Sequence, residues 1–413
     1  MKSLYLLSAI AALLPFTLAW LPHEAGITNL EGRDLFQTQL VNETESDPAK
    51  RWLPNKTPIR GVNLGSQFII EPWMASTEWS SMGCGSSKSE FDCVTLLGQE
   101  SADAAFANHW NSWITQSDIK KMASYSLNTI RIPLGYWIFE GIKYDSEHFP
   151  EGALNYLGDI VEWAADEGFY IVLNLHGAPF AQDAKQPFTG QYIPSISDSN
   201  PAFYQTSQYN RAYWFLGNLT HLVHTDNRYR NVGMIEVINE PIGSNDLTDS
   251  MRREYYPNAY ATIRNVESSL GVSSNRALHI QMMDNAWGSG DPTQYLSNNW
   301  EAAYDDHNYI GFSPVSVVQA DYLQAACNPR GGNWPLIVGE WSMVVANSAW
   351  PPQANVQFYK DFFARQARTY EKQLGWIYWT WKTDLNDPRW DYSAAVAAGI
   401  IPKNLDSMDA NPC

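Results

Sequence analysis

Four cysteines in 413 residues, at spacings that match no zinc motif, leave no thiolate cage for a metal. After the first twenty residues there is no run of about eighteen apolar residues, the length a helix needs to cross a bilayer. Cations are scarce: 27 Lys and Arg stand against 44 Asp and Glu, a net charge of −17. Such a surface repels nucleic acid and anionic lipid, and it suits a neutral substrate. Neither a G-x-G-x-x-G turn nor a P-loop is present, which removes the usual cradles for dinucleotides and nucleoside triphosphates. No internal repeat, low-complexity tract or Ser/Thr/Pro-rich linker divides the chain, so a single domain is the simplest organisation.

What is present begins with Lys2, an apolar stretch and the small-residue close Thr17-Leu18-Ala19. That order describes a secretory signal peptide over residues 1–19; the run is short for a membrane span and contains Pro15. The expected location is therefore extracellular, with residues 20–58 a polar lead-in without sustained period. Outside the cell, disulfides are the default state of cysteine. Four cysteines allow three pairings. The expected set is Cys84–Cys93 as a local staple and Cys327–Cys413 as a clamp on the C-terminus. Asn42, Asn55 and Asn218 each open an Asn-x-Thr sequon and are candidate glycosylation sites.

Beyond residue 58, short apolar β-branched runs alternate with longer amphipathic segments. Strands are expected at 59–64, 129–133, 170–175, 234–238, 277–282, 303–307, 336–339 and 376–379. Helices are expected between them, among them 116–125, 152–167, 211–225 and 355–373. Runs such as Tyr170-Ile-Val-Leu-Asn-Leu are apolar on both faces, as buried parallel strands must be. Strand then helix, eight times over, predicts a closed (β/α)8 barrel for residues 59–413 rather than an open doubly wound sheet. Tryptophan is abundant, with eighteen residues in an aromatic fraction of 14%. Its flat apolar face fills cores and also suits stacking against a sugar ring.

A barrel of this kind builds its active site at the C-terminal ends of its strands. The polar residues closing the apolar runs are Arg131, His176, the pair Asn239-Glu240, His307 with Tyr309, and Glu340; Trp379 and Trp381 close the last. Two carboxylic acids in this register are what hydrolysis of a glycosidic bond needs, one to protonate the departing oxygen and one to attack the anomeric carbon. Arg131 and Tyr309 are expected to hold one carboxylate ionised and in place, and Asn239 to bind a sugar hydroxyl. Asp305 and Asp306 are the rival acids. Glu236 sits deeper and reads as structural. His176 and His307 have no acidic partner at a metal-ligand spacing, so no metal is expected.

The ordered motifs resemble glycoside hydrolase family 5, in the fungal branch that holds exo-β-1,3-glucanases and β-1,6-glucanases. They run from Arg60-Gly-Val-Asn-Leu-Gly-Ser through Glu71-Pro-Trp, Arg131-Ile-Pro-Leu-Gly-Tyr-Trp and His176-Gly-Ala-Pro. Asn239-Glu-Pro, His307-Asn-Tyr, Gly339-Glu-Trp-Ser and Trp379-Thr-Trp-Lys382 complete the set. The resemblance implies a retaining β-glucanase with Glu240 as acid/base and Glu340 as nucleophile, their carboxyl groups about 5–5.5 Å apart. It also implies support from Arg131, His176, Asn239, His307, Tyr309 and a tryptophan of the Trp379/Trp381 pair, and no cofactor. Ser80-Ser-Met-Gly-Cys, Ser89-Glu-Phe-Asp-Cys and Arg230-Asn-Val-Gly-Met point within that branch to internal cleavage of β-1,6-linked glucan. Phe180 and the stretch 185–201 depart from the exo-β-1,3 pattern. A rutinosidase-like diglycosidase and an exo-β-1,3-glucanase share the core, and a non-catalytic wall-binding protein is the reading from another class. The partner is a β-glucan, and nothing in the sequence calls for more than a monomer.

Overall fold

The computed structural model describes residues 57–312, 317–346 and 350–413. The expected signal peptide, Asn42 and Asn55 lie outside the described residues, as does most of the expected lead-in. Eight strands form one closed parallel barrel in chain order. They are β1 (Ile59–Asn63), β2 (Thr129–Gly135), β3 (Tyr170–Gly177), β4 (Val232–Glu236), β5 (His279–Met283), β6 (Ala302–His307), β7 (Leu336–Glu340) and β8 (Gly375–Tyr378). Closure comes from β8 pairing with β1, with Ile59 opposite Gly375 and Val62 opposite Tyr378. β2, β3 and β4 are buried along their whole length, because the barrel interior covers one face and the surrounding helices the other.

Alternation along the strands sorts the inward side chains into layers. The lowest is an apolar plug of Ile59, Tyr170, Val172, Met234, Ala303, Ile337 and Ile377, a cluster separate from the main core. Two residues further along the strands the interior turns polar, with Asn63, Arg131, Asn174, Glu236, Gln281 and Asp305 all fully buried. Register carries this layer around the barrel: Asn63 lies opposite Arg131, Asn174 opposite Glu236 and Glu236 opposite Gln281. The plug closes the floor, so the polar layer opens only toward the C-terminal mouth.

The larger core lies between barrel and helices. Helix Val356–Tyr370 buries Phe358, Tyr359, Phe362, Phe363 and Tyr370 on one face. Helix Gln116–Ala123 begins with a capping box, Thr115 and Asp118 bonding each other's backbone N–H. Helix Thr206–Thr225 starts about a turn before the expected residue 211. Among the described residues no helix is long and apolar enough to cross a membrane.

Disulfides join Cys84 to Cys93 and Cys327 to Cys413. The glycosylation expectation at Asn218 is corrected. Asn218 lies within helix Thr206–Thr225 and is fully buried, so its amide has no path to a glycan. A sequon records three residue types and says nothing of which helix face they occupy.

Candidate active site

Arg131 stands at the centre of the polar layer and is fully buried. Its Nε donates to Glu236 Oε2 at 2.8 Å and its Nη2 to Asn239 Oδ1 at 2.7 Å. Nη1 donates to both Asn63 Oδ1, at 2.9 Å, and Glu340 Oε1, at 2.8 Å. One guanidinium thus ties β1, β2, β4 and β7 together and leaves Glu340 in a fixed position. The planar fork makes this possible; an ammonium group has no such geometry.

Glu340 ends β7 and is 4% exposed. Its second oxygen, Oε2, accepts from the Tyr309 hydroxyl at 2.9 Å. Burial pushes its carboxyl above the ordinary carboxylate range and the neighbouring Glu240 adds to that, while His307, Arg131 and Tyr309 pull it back. Arg131 therefore offsets part of the cost of burial instead of holding Glu340 far down. Burial and the charges of Glu340 and Glu240 push the Tyr309 phenol well up, which keeps it a proton-bearing donor.

Glu240 lies four residues past the end of β4, with a left-handed backbone at φ 39°. Non-glycine residues in that region cost about 1–3 kcal/mol and persist where the surroundings over-determine them. The surroundings here are specific. Gln182 donates to the carbonyls of both Asn239, at 2.9 Å, and His176, at 2.6 Å, and so staples the ends of β3 and β4. His307 Nδ1 lies 2.6 Å from Glu240 Oε1 and 3.5 Å from Glu340 Oε2. Donor atoms of Glu240, His307 and Glu340 all fall within 4.8 Å of one another. Two acids a hundred residues apart, about 330 Å along a fully extended chain, thus converge on one ring-sized space.

The remaining expected residues divide. Asn239 accepts from Arg131 through Oδ1, and its buried Nδ2 has no partner among the described residues, which leaves a donor for a sugar hydroxyl. His176 Nδ1 bonds Asn174 Oδ1 at 2.8 Å, and the ring stacks on Trp379 with planes 5° apart. Burial, with the charges of Arg131 and His307, holds His176 well below its ordinary pKa and so neutral.

Trp381 is a correction. It is 1% exposed, its Nε1 donates to Asp118 Oδ1 at 3.1 Å, and it packs on Tyr125 and Tyr392 in the outer core. β8 ends at Tyr378, so strand alternation no longer relates Trp381 to Trp379.

The rival acids are occupied elsewhere. Asp306 faces outward and pairs with Arg330, at 3.0 Å from its Nη2. Asp305 sits low in the barrel and accepts the Gly339 N–H at 2.7 Å. Glu236 is fully buried against Arg131, and burial pushes its carboxyl up to about 8. The positive guanidinium beside Glu236, Asp305 and Glu340 also opposes a cation at either carboxylate–histidine cluster.

Three site residues were not legible from the strand ends. Glu71, eight residues past β1, is 6% exposed and takes the Trp73 indole N–H at 2.8 Å. Burial raises its carboxyl to about 8, with Glu340 and Glu240 adding to the shift. Asp183 is raised to about 6, chiefly by burial and then by Glu240. Gln182, the staple described above, is the third. All lie in loops, where no period marks them. Along the Tyr309 side runs an aromatic ledge: Trp390 lies 5.0 Å from Trp73, 5.8 Å from Tyr309 and 6.0 Å from Phe312. Trp73 is 41% and Phe312 68% exposed, so flat apolar faces are open to a ligand beside the carboxyl pair.

Comparison with known proteins bears on the same features. Residues 94–385 match the model of the Cellulase (glycosyl hydrolase family 5) family. The chain is 55% identical to "Glucan endo-1,6-beta-glucosidase B" of Emericella nidulans, over 97% of this chain and 98% of that protein. It is 50% identical to "Probable glucan endo-1,6-beta-glucosidase B" of Neosartorya fischeri, over 97% of each. Among solved structures, rutinosidase from Aspergillus niger superposes with a TM-score of 0.66 at 19% identity, covering 85% of this chain and 99% of the other. That likeness speaks to the barrel alone.

Proposed function

The chain belongs to glycosyl hydrolase family 5, and from that premise we propose that it is a secreted, endo-acting β-1,6-glucan hydrolase with Glu240 as acid/base and Glu340 as nucleophile. The observation that carries the retaining mechanism is the approach of these two carboxyl groups. Oxygens of Glu240 and Glu340 lie within 4.8 Å. Retaining glycosidases keep their carboxyl groups about 5–5.5 Å apart and inverting ones about 6.5–9.5 Å, because only the latter need room for a water molecule.

In the first step Glu340 attacks the anomeric carbon while Glu240 gives its proton to the departing glycosidic oxygen. In the second, Glu240 as carboxylate takes a proton from water, which attacks the same carbon and frees Glu340. Arg131 and Tyr309 hold both oxygens of Glu340, so the nucleophile needs no reorganisation as it reacts. The unpartnered Asn239 Nδ2 offers a donor to a sugar hydroxyl as charge develops on the ring.

The β-1,6 linkage and the internal mode of cleavage rest on the identity of 55% to a protein named for that activity, across nearly the whole of both chains. Secretion is supported by the leader-like first 19 residues and by two disulfides, which persist in oxidising compartments. One chain supplies every residue of the site, so a monomer suffices.

The test is a side-by-side assay on pustulan, laminarin and rutin with chromatography of the products. The expected result is a ladder of oligosaccharides from pustulan and little release from the other two. Cleavage of rutin or laminarin with pustulan untouched overturns the specificity.

A further inference from the structure

Asp305 is a buried carboxylate that the mechanism above leaves without a task. It lies on β6, two residues before His307, and both face the barrel interior. Its Oδ1 is fixed by the Gly339 N–H at 2.7 Å. Its Oδ2 is buried with no hydrogen-bond partner among the described residues, and so is Nε2 of His307. These two orphaned atoms face each other 3.5 Å apart. The approach requires glycine on the neighbouring strand β7, since a Cβ at Gly339 would stand 2.2 Å from Asp305 Oδ1. The motif Gly339-Glu340 therefore makes room for Asp305 as well as presenting the nucleophile.

We propose that Asp305 is a positioning residue for the acid/base, acting through His307: it takes the Nε2–H, and so fixes the ring whose Nδ1–H orients Glu240. The proposal rests on the assignment of Glu240 made above. An ionised carboxylate only accepts, so a ring nitrogen turned to Asp305 Oδ2 must carry hydrogen. The other nitrogen, Nδ1, lies 2.6 Å from Glu240 Oε1. When it too bears hydrogen, it occupies Oε1 and leaves Oε2 as the oxygen that gives and takes the catalytic proton. His307 keeps both its protons through the cycle. The proton that moves goes from Glu240 Oε2 to the glycosidic oxygen as the C1–O bond breaks, and is replaced from the attacking water.

The charges around the ring favour this state. Glu240 approaches from the loop after β4, Glu340 from β7, Asp305 from β6 and Glu236 from β4, against Arg131 on β2 and His176 on β3. Burial opposes a cation there, but the charges of Glu340 and Asp305, with the contact to Glu240, outweigh it and raise His307 well above its ordinary pKa.

The test uses the full-length secreted protein and Asp305→Asn. Asparagine can keep the Gly339 bond through its oxygen, but it turns an N–H donor toward His307 Nε2. That ring nitrogen must then accept, and the imidazole becomes neutral. Expected is a fall of about 10–100-fold in kcat/KM, the size seen when the carboxylate behind a metal-bound histidine is removed. The acid limb of the pH profile should move to higher pH, because Glu340 loses a neighbouring cation. In ¹⁵N-histidine spectra, with the His307 signals assigned by their loss in His307→Gln, the wild-type ring should keep both protons through neutral pH. That measurement needs no Asp305 variant, so a variant that fails to fold does not shield the idea. A wild-type His307 that is neutral near pH 6, or an Asp305→Asn enzyme with an unmoved pH profile, overturns it. A 2-deoxy-2-fluoro glycoside that fails to label Glu340 in the wild type would instead overturn the assignment beneath.

Discussion

Replacing Arg131 by methionine removes four hydrogen bonds at once, to Asn63, Glu236, Asn239 and Glu340, from a side chain with no exposed surface. Three carboxylates lose their cation: Glu236 and Glu340 at 2.8 Å and Asp305 at 3.9 Å. Removing one partner of a buried pair costs about 3–5 kcal/mol, because the other is left charged without water or counter-ion. The carboxylates can escape by taking up protons, so the loss depends on pH. Glu236 is raised to about 8 even with Arg131 present. Without it, Glu236 and Glu340 both rise further. The folded state then binds more protons than the unfolded one, and stability falls as pH increases.

Urea denaturation of wild type and Arg131→Met at pH 5 and pH 8 measures this directly. The expected loss is about 3–5 kcal/mol at pH 8 and clearly smaller at pH 5. Residual activity on an aryl glycoside should have its acid limb displaced to higher pH, since the nucleophile is harder to ionise. A loss under about 1 kcal/mol, equal at the two pH values, would mean that Arg131 is not the counter-charge described and would refute the reasoning.

Three further outcomes are expected. Glu240→Gln should slow hydrolysis of glucan far more than of a dinitrophenyl glycoside, whose leaving group needs no proton; equal loss on both substrates sends the acid role elsewhere. Glu90 is fully buried, accepts the Ile70 N–H at 2.9 Å and is raised by burial to about 8. A raised carboxyl stabilises below its unfolded pKa and loses that contribution as pH climbs toward 8, so Glu90→Gln should resist urea better than wild type at pH 8 and show no such gain at pH 5. A wild-type advantage at pH 8 contradicts the burial argument. Peptide mapping of the protein expressed through a secretory pathway should find Asn218 without a glycan, and any occupied fraction there disproves its placement inside the helix.

The barrel was legible because a parallel strand buried on both faces must be apolar throughout, and six of the eight runs close on polar or aromatic residues that the mouth then gathers. β4 shows the limit of that signal. The expected strand 234–238 lies two residues beyond the observed Val232–Glu236. Val237 and Ile238 are as buried as a strand, and the Val237 N–H still bonds the Gln281 carbonyl at 2.9 Å, so hydropathy cannot mark where the strand ends. Arg131, Glu240, His307, Tyr309 and Glu340 lie together as expected because strand ends point them into one space. Trp381 misled for the complementary reason: its spacing from Trp379 mimics alternation beyond the point where the strand has stopped. Glu71, Gln182 and Asp183 lie on loops whose paths depend on distant contacts, such as the Gln182 bonds to His176 and Asn239. No local pattern encodes those paths.

All of this depends on Glu340 forming a bond to the sugar that Glu240 then helps to break, and the anomeric configuration of newly released sugar reports it. Proton NMR of β-1,6-glucan hydrolysis, followed from the first minutes before mutarotation, should show the β-anomer of the new reducing end appearing first. Initial appearance of the α-anomer would mean a single displacement by water, and would contradict the account.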